Sequence, residues 1–347
     1  MAVSRKRPPE SWAAIRAALK TGLAELCARS ECCLDIAVGY SGGLDSTVLL
    51  DALMRLPSHG KWRLRAVHVN HGLSPHARAW QEHCASTCAE RGVAFFAADA
   101  TVSRAPRTSL EEEARRERYR ILRACRADVV ALAHHADDQA ETIVLQLLRG
   151  AGPHGMSAMP RLRDEGTKPW TWRPLLELPR TTLAAYAHSA GLTYVEDESN
   201  DDLDLRRNFV RHRVLPLLAQ AFPAPVKTLA RAATLQAEAA ALISILARQD
   251  LQAVGREGAL DCEALAGFSR ARQSNLLREW IAQAGLRAPS AARLNALLDS
   301  LGGRAGRLRW EHAGWLVFAR HGRLFLVPAD GARALKAAIT PRASDII

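Results

Sequence analysis

The sequence predicts an α/β protein with a doubly wound parallel sheet in its N-terminal part, followed by a mainly helical domain that ends in a small β-meander. Three observations carry this expectation. Short apolar runs alternate with helix-spaced segments through the first half of the chain. The segment Ser41-Gly42-Gly43-Leu44-Asp45-Ser46 joins one such run to a helical pattern. After residue 221 the composition shifts to Ala, Leu and Arg, and β-rich runs punctuated by turn residues follow.

In chain order, residues 34–38, 64–69, 93–97 and 129–133 read as buried strands, and residues 47–55, 75–91, 110–125 and 137–148 as helices. Parallel strands need crossovers of this length, and their right-handed sense places helices on both faces of the sheet. Ser109 and Glu112 form a capping box for the third helix. In such a sheet a ligand lies beyond the carboxyl ends of the strands, so residues 41–46, 68–72 and 134–138 should converge on one site.

From 150 to 180 the pattern breaks into glycines, prolines and tryptophans, which reads as a flexible loop with an extended stretch at Arg173-Pro174. Residues 179–190 read as a helix. An acidic turn at 196–204 then gives way to a basic helix with Arg206, Arg207, Arg211 and Arg213, expected to end at Pro216. Helices are expected at 225–251, 270–284 and 290–301, and short strands at 306–310, 314–320 and 322–327, with turns at 312–314 and 321–322. The expected domains are 1–220, 221–330 and a flexible tail at 331–347.

With 347 residues, 48% of them hydrophobic, the chain can bury two cores. Its formal charge of +11 favours a polyanionic partner such as nucleic acid, because neutralised phosphates release counterions. Seven cysteines without a C-x-x-C pair argue against a disulfide framework, a zinc site or an iron–sulfur cluster, and place reduced thiols in a cytoplasm. No signal-peptide core follows the basic N-terminus, and no segment approaches the roughly 18 apolar residues of a membrane span, so no membrane partner is expected.

A strand, a glycine turn and a helix start meet at residues 41–46, aiming backbone N–H groups and a helix dipole at one spot. This is a phosphate cradle without the Gly-Lys-Ser/Thr of a Walker loop. Asp45 beside it would repel the anion unless a cation intervenes, which implies Mg²⁺. Asp137, Asp138 and Glu141 start another helix, where either aspartate can share a face with the glutamate. That cluster can hold Mg²⁺, position an amine, accept a proton or cap the helix. His68, His71, His134 and His135 suit nucleotide contacts better than zinc, since no cysteine lies at ligand spacing. Arg115, Arg118 and Tyr119 form either a solvated face or a surface for a base and its phosphates.

Taken in order, the motifs resemble the tRNA(Ile)-lysidine synthases of the PP-loop ATP pyrophosphatase superfamily, whose fold is adenine nucleotide alpha hydrolase-like. The matching residues are 41–46, His68-Val69-Asn70-His71-Gly72-Leu73, Glu111 with Ala114-Arg115 and Arg118-Tyr119, 134–142, 147–150 with Gly152 and Gly155, Arg173-Pro174-Leu175-Leu176, and Asp197-Glu198-Ser199-Asn200 with Arg207-Asn208 and Arg211. The resemblance implies ligation of free L-lysine to the wobble cytidine of an isoleucine tRNA with a CAU anticodon, consuming ATP and releasing AMP and pyrophosphate. It implies ATP contacts from Ser41, Gly42, Gly43, Leu44, Asp45, Ser46, His68, His71 and His134. It also implies Mg²⁺ at Asp45 and Asp137, catalytic assistance from Asp138 with Asp45 and Asp137, lysine binding by Glu141, and tRNA contacts from Arg115, Arg118, Tyr119, Arg207, Asn208 and Arg211. A homodimer is an allowed assembly. Two other readings stay open: a PP-loop tRNA thiolase, against which the absence of motif cysteines argues, and a non-catalytic tRNA-binding protein, against which the acidic cluster argues.

Overall fold

Ile36, Ala37 and Val38 are fully buried because the strand they form, β1 (Leu34–Gly39), lies inside a six-stranded sheet. The computed structural model describes residues 9–101, 110–164, 166–256, 258–286, 288–302 and 308–329. Ser109 of the expected capping box and the expected tail at 331–347 lie outside them. The chain divides into two compact units, Met1–Ala237 and Glu238–Ile347.

The first unit opens with α1 (Glu10–Ala28), which buries Ile15, Leu19, Leu23 and Leu26 at helical spacing. After β1 come α2 (Leu44–Met54), β2 (Trp62–Asn70), α3 (Ala77–Glu90), β3 (Ala94–Asp99), α4 (Leu110–Ala124), β4 (Val129–Ala131) and α5 (Ala136–Leu148). The short α6 (Pro153–Met156), β5 (Leu162–Arg163), β6 (Trp170–Trp172) and α7 (Arg180–Ala190) follow. The strand order is β3-β2-β1-β4-β6-β5, parallel except for the β5 edge. β1 therefore sits between β2 and β4 where the order reverses, and the loops after β1 and β4 open side by side.

β5 and β6 correct the expectation of a loop from 150 to 180. Three residues are too few for a periodic signal. β6 exists because it pairs with β4 and because Trp172, 1% exposed, fills the central core with Ile15, Leu19 and Val38. A Cβ at Gly22 of α1 would lie 2.6 Å from the Trp172 ring, so α1 needs glycine there to approach the sheet.

The basic helix also departs from expectation, because it does not end at Pro216. A 3-10 turn (Glu198–Asp201) leads to α8 (Arg206–Phe209), a π-helical turn (Val210–Val214) and α9 (Leu215–Ala221). Pro216 falls in the first turn of α9, where a missing N–H forfeits little.

α10 (Pro225–Val254) places Val226, Leu229 and Ala233 against Ala140, Ile143 and Val210. By length and composition alone it is apolar enough to cross a membrane, contrary to the expectation that no segment comes close. Alanine is its commonest residue, and Lys227, Arg231, Glu238, Arg248 and Asp250 are spread along it, so it is weak grounds for a span.

In the second unit, β7 (Gly255–Arg256), β8 (Ala259–Asp261), α11 (Cys262–Ala266), α12 (Arg270–Gln283), α13 (Ala291–Gly302), β9 (Arg309–His312), β10 (Trp315–Arg320) and β11 (Arg323–Pro328) follow. The antiparallel order is β7-β8-β11-β10-β9, so the expected meander is extended by one more hairpin. Its two expected turns have positive φ at both central residues, Ala313-Gly314 and His321-Gly322, as tight hairpins require. Leu276, Leu277, Leu294, Leu297, Val317 and Leu324 form the core between its helices and strands.

Candidate active site

β1 ends at Gly39, and residues 41–43 turn the chain into α2 with Gly43 as its N-cap. The turn is tied down by its own hydroxyls: Ser46 Oγ donates to the Gly43 carbonyl at 3.0 Å and Thr47 Oγ1 to the Gly42 carbonyl at 3.2 Å. From outside, Val195 N–H donates to the Gly42 carbonyl at 2.9 Å. Gly42 has φ +83°, and a Cβ there would come within 2.7 Å of Val195 and 2.8 Å of Cys84 Sγ, so only glycine fits. The result is a loop held from within and from outside at the C-terminal end of β1.

That loop lines a cleft of about 1160 Å³. Ser41, Gly43, Leu44, Asp45 and Ser46 form one part of it, and His68, His71, Arg118 and Arg211 others. His68 is held by a 2.9 Å hydrogen bond between its Nδ1 and the Tyr40 carbonyl. Burial holds His68 and His71 below the usual imidazole range, and the Arg118 cation adds to this. Both rings are therefore neutral partners at pH 7. His134 is lowered further by burial and nearby arginines, against the opposing pull of Asp138.

Beside the loop, buried His135 is surrounded by three carboxylates. Its Nε2 lies 3.6 Å from Asp45 Oδ2 and 3.5 Å from Asp138 Oδ2, and its Nδ1 lies 3.6 Å from Asp137 Oδ2. Burial alone would lower its pKa, but the aspartates outweigh burial and raise it to about 10. Asp137 and Asp138 are pushed up by burial and pulled further down by His135, with the Arg180 N–H helping at Asp137 and Arg207 at Asp138. Asp138 also caps α5, accepting from His135 N–H at 3.0 Å, so the capping and charged roles coexist in one side chain.

Glu141, fully buried one turn on, accepts from Arg207 Nε and Arg211 Nε, each at 2.6 Å. Both arginines also reach Asp138 Oδ1, at 2.9 and 3.4 Å. Asn208 spends its amide on the Ser199 and Asp202 carbonyls, fixing the acidic turn. Arg115 stacks over the Tyr119 ring at 5.2 Å. The structure thus joins Asp45, Asp137 and Asp138 through His135, and joins Asp138 and Glu141 through Arg207 and Arg211. Glu111 of α4 is described only in its backbone.

Residues 17–218 match the PP-loop domain family, and residues 260–325 match the TilS substrate binding domain. The tRNA(Ile)-lysidine synthase of Methylococcus capsulatus is 40% identical over 300 residues, which cover 84% of this chain and 68% of that protein. The chain belongs to the tRNA(Ile)-lysidine synthase family. Its Chromobacterium violaceum relative, also a tRNA(Ile)-lysidine synthase, is 46% identical over 76% of this chain and 60% of its own length. The chain thus spans about 60% of the length of that curated relative. Among solved structures, the U34-tRNA thiolase NcsA of Methanococcus maripaludis aligns over 65% of this chain and 77% of its own, at 18% identity and TM-score 0.49.

In this lysidine synthase family member, Arg180 and Arg173 had no role assigned from the sequence, and His135, expected among the nucleotide contacts, stands among three carboxylates instead. His135 stood in a conspicuous His-His-Ala-Asp-Asp run, but the run alone does not show that its ring lies among three carboxylates. Arg180 begins α7, where its N–H donates to Asp137 Oδ2 at 2.8 Å and its Nε lies 3.8 Å from Asp45 Oδ1. Arg173 lies beside Tyr119, whose phenol burial would raise and the Arg115 and Arg173 cations lower, with a net lowering. Arg180 carries no local signal, whereas Arg173 stood in the Arg173-Pro174-Leu175-Leu176 motif without a role of its own.

Proposed function

We propose that this chain ligates the ε-amine of free L-lysine to C2 of the wobble cytidine in the CAU anticodon of an isoleucine tRNA. The observation that carries this reading is the juxtaposition of a lysine-free phosphate loop, at residues 41–46, with the Asp138–Glu141–Arg207–Arg211 cluster at the same sheet edge. Family membership supports it. The chain's functional parts are a PP-loop catalytic domain at 1–220 and a helical tRNA-binding domain with short strands at 221–330.

The cytosine O2 attacks the α-phosphate of ATP, and pyrophosphate leaves as the P–O bond breaks. Backbone groups of residues 41–46 hold the polyphosphate, while neutral His68, His71 and His134 offer hydrogen bonds without competing charge. The amine of lysine, having lost a proton, then attacks C2, and AMP departs with the former O2. Asp138 would hold the approaching ammonium and assist the loss of its proton, and Glu141 would support lysine binding through the same network. Arg115, Arg118, Tyr119, Arg207, Asn208 and Arg211 serve the tRNA side, Asn208 by ordering the acidic turn.

Asp45 Oδ1 is buried without a hydrogen-bond partner at the edge of the phosphate loop, which fits a carboxylate that takes a cation. Among the described residues no group of three or more His, Cys, Asp or Glu forms a ready-made metal site. Mg²⁺ needs none, because it is held by one or two carboxylates together with phosphate oxygens. Asp45 and Asp137 would hold it, and it would offset the negative charge that develops on the leaving pyrophosphate.

A thiolase reading fares worse. Cys84 and Cys88 are buried, and desolvation raises their thiols to about 12 and about 11, where no thiolate nucleophile forms at neutral pH. The reaction is expected in the cytoplasm without a membrane, and a homodimer is compatible with it. Incubation with ATP, Mg²⁺, labelled lysine and an unmodified CAU-anticodon isoleucine tRNA transcript tests the reading. Lysine incorporation is expected, and tRNA binding without incorporation would refute it.

A further inference from the structure

The phosphate loop has no cation of its own, since residues 41–46 contain neither lysine nor arginine. We propose that Arg180, from the start of α7, supplies it by contacting the terminal phosphates of the bound nucleotide. This rests on the reading that the cleft binds ATP.

Arg180 lines the cleft together with Ser41, Gly43, Asp45 and Ser46. Its Nε is 3.8 Å from Asp45 Oδ1, an ion pair too long for a hydrogen bond, and that oxygen has no hydrogen-bond partner. The side chain is 49% exposed, which leaves it room to turn.

Of the other two arginines that line the cleft, Arg211 is held on Glu141 at 2.6 Å and the Arg118 cation is felt by His68 and His71, whereas Arg180 pairs with Asp45 of the loop itself. The Arg180 backbone is anchored from behind by its 2.8 Å bond to Asp137 Oδ2, and further along α7 Tyr186 O–H donates to Asp51 of α2. α2 is the helix that the phosphate loop opens, so the two elements keep the guanidinium in register with the loop.

A polyphosphate presents pairs of charged oxygens that the planar fork of a guanidinium can bond bidentately, whereas Asp45 offers only the loose contact seen here. Arg180 therefore exchanges Asp45 for the phosphates when nucleotide enters. A cation on the departing pyrophosphate also stabilises charge that grows in the transition state.

Equilibrium dialysis of the full chain with ATP, AMP and inorganic pyrophosphate, for wild type, Arg180→Ala, Arg180→Lys and Arg180→Gln, tests the proposal. Arg180→Ala and Arg180→Gln are expected to weaken ATP and pyrophosphate about tenfold and AMP by less than about twofold, with Arg180→Lys recovering part of the loss. Equal weakening of ATP and AMP would overturn the proposal in favour of a structural role, and unchanged ATP affinity would overturn it outright. Wild type that binds no ATP would instead refute the nucleotide reading itself, and the proposal with it. Because the substituted side chain is half exposed, melting temperatures close to wild type are expected for all three variants.

Discussion

Arg207 Nε donates to Glu141 Oε2 at 2.6 Å across 66 residues of sequence, and the carboxylate it meets is fully buried. Arg211 closes the other oxygen. Removing one partner from such a cluster leaves charge uncompensated, which costs about 3–5 kcal/mol. Glu141→Gln is expected to lower the urea-unfolding free energy by that amount. Arg115→Gln, at an exposed position on α4, should change it by less than about 0.5 kcal/mol. A small loss for Glu141→Gln would contradict the paired geometry.

Asp45→Asn preserves shape but removes the charge of the carboxylate whose Oδ1 is buried without a hydrogen bond. Pyrophosphate release should fall by about two orders of magnitude or more while tRNA affinity stays nearly unchanged. Turnover that recovers fully at saturating Mg²⁺ would argue against a metal ligand at this position.

Stability without Mg²⁺ or nucleotide should fall on both sides of a mildly acidic optimum. Asp137 and Asp138 have depressed folded-state pKa values, so their contribution is present above the unfolded value near 3.9 and is lost as pH drops below it. His135 is raised to about 10, so its contribution is complete below the unfolded value near 6.5 and disappears as pH rises towards 10. Melting temperature measured from pH 3 to 10 should form a plateau near pH 5 to 6.5. A profile that stays level up to pH 10 would mean that His135 is not an imidazolium.

Thiol chemistry should divide the cysteines by position. Cys32 and Cys33 are exposed, whereas Cys84 and Cys88 are buried with raised pKa values of about 12 and about 11. A disulfide reagent at pH 8 should modify Cys32 and Cys33 rapidly and spare the buried pair until the protein unfolds. Rapid native-state labelling of Cys84, beneath Gly42, would indicate that the loop opens.

Much of the fold was legible because it is local. The β1 run, the glycine turn and α2 follow from an apolar stretch, a positive-φ glycine and helix periodicity, all within about twenty residues of one another. The hairpin turns at Ala313-Gly314 and His321-Gly322 were equally readable. β6 was not, since three residues carry no period and its strand conformation comes from pairing with β4. Pro216 misled in the opposite direction, because a breaker inside a helix is harmless in the first turn of the next one.

The sequence by itself showed which polar residues cluster in motifs and that three strand ends would bring those motifs to one edge. Only the tertiary structure decided who pairs with whom. Arg207 and Arg211 close on Glu141, His135 lies among Asp45, Asp137 and Asp138, and Arg180 reaches the phosphate loop from a helix far along the chain. Charge pairing depends on distances of a few ångströms between groups far apart in sequence, and local patterns of apolarity and turn chemistry encode which face a residue takes but not which distant charge it meets.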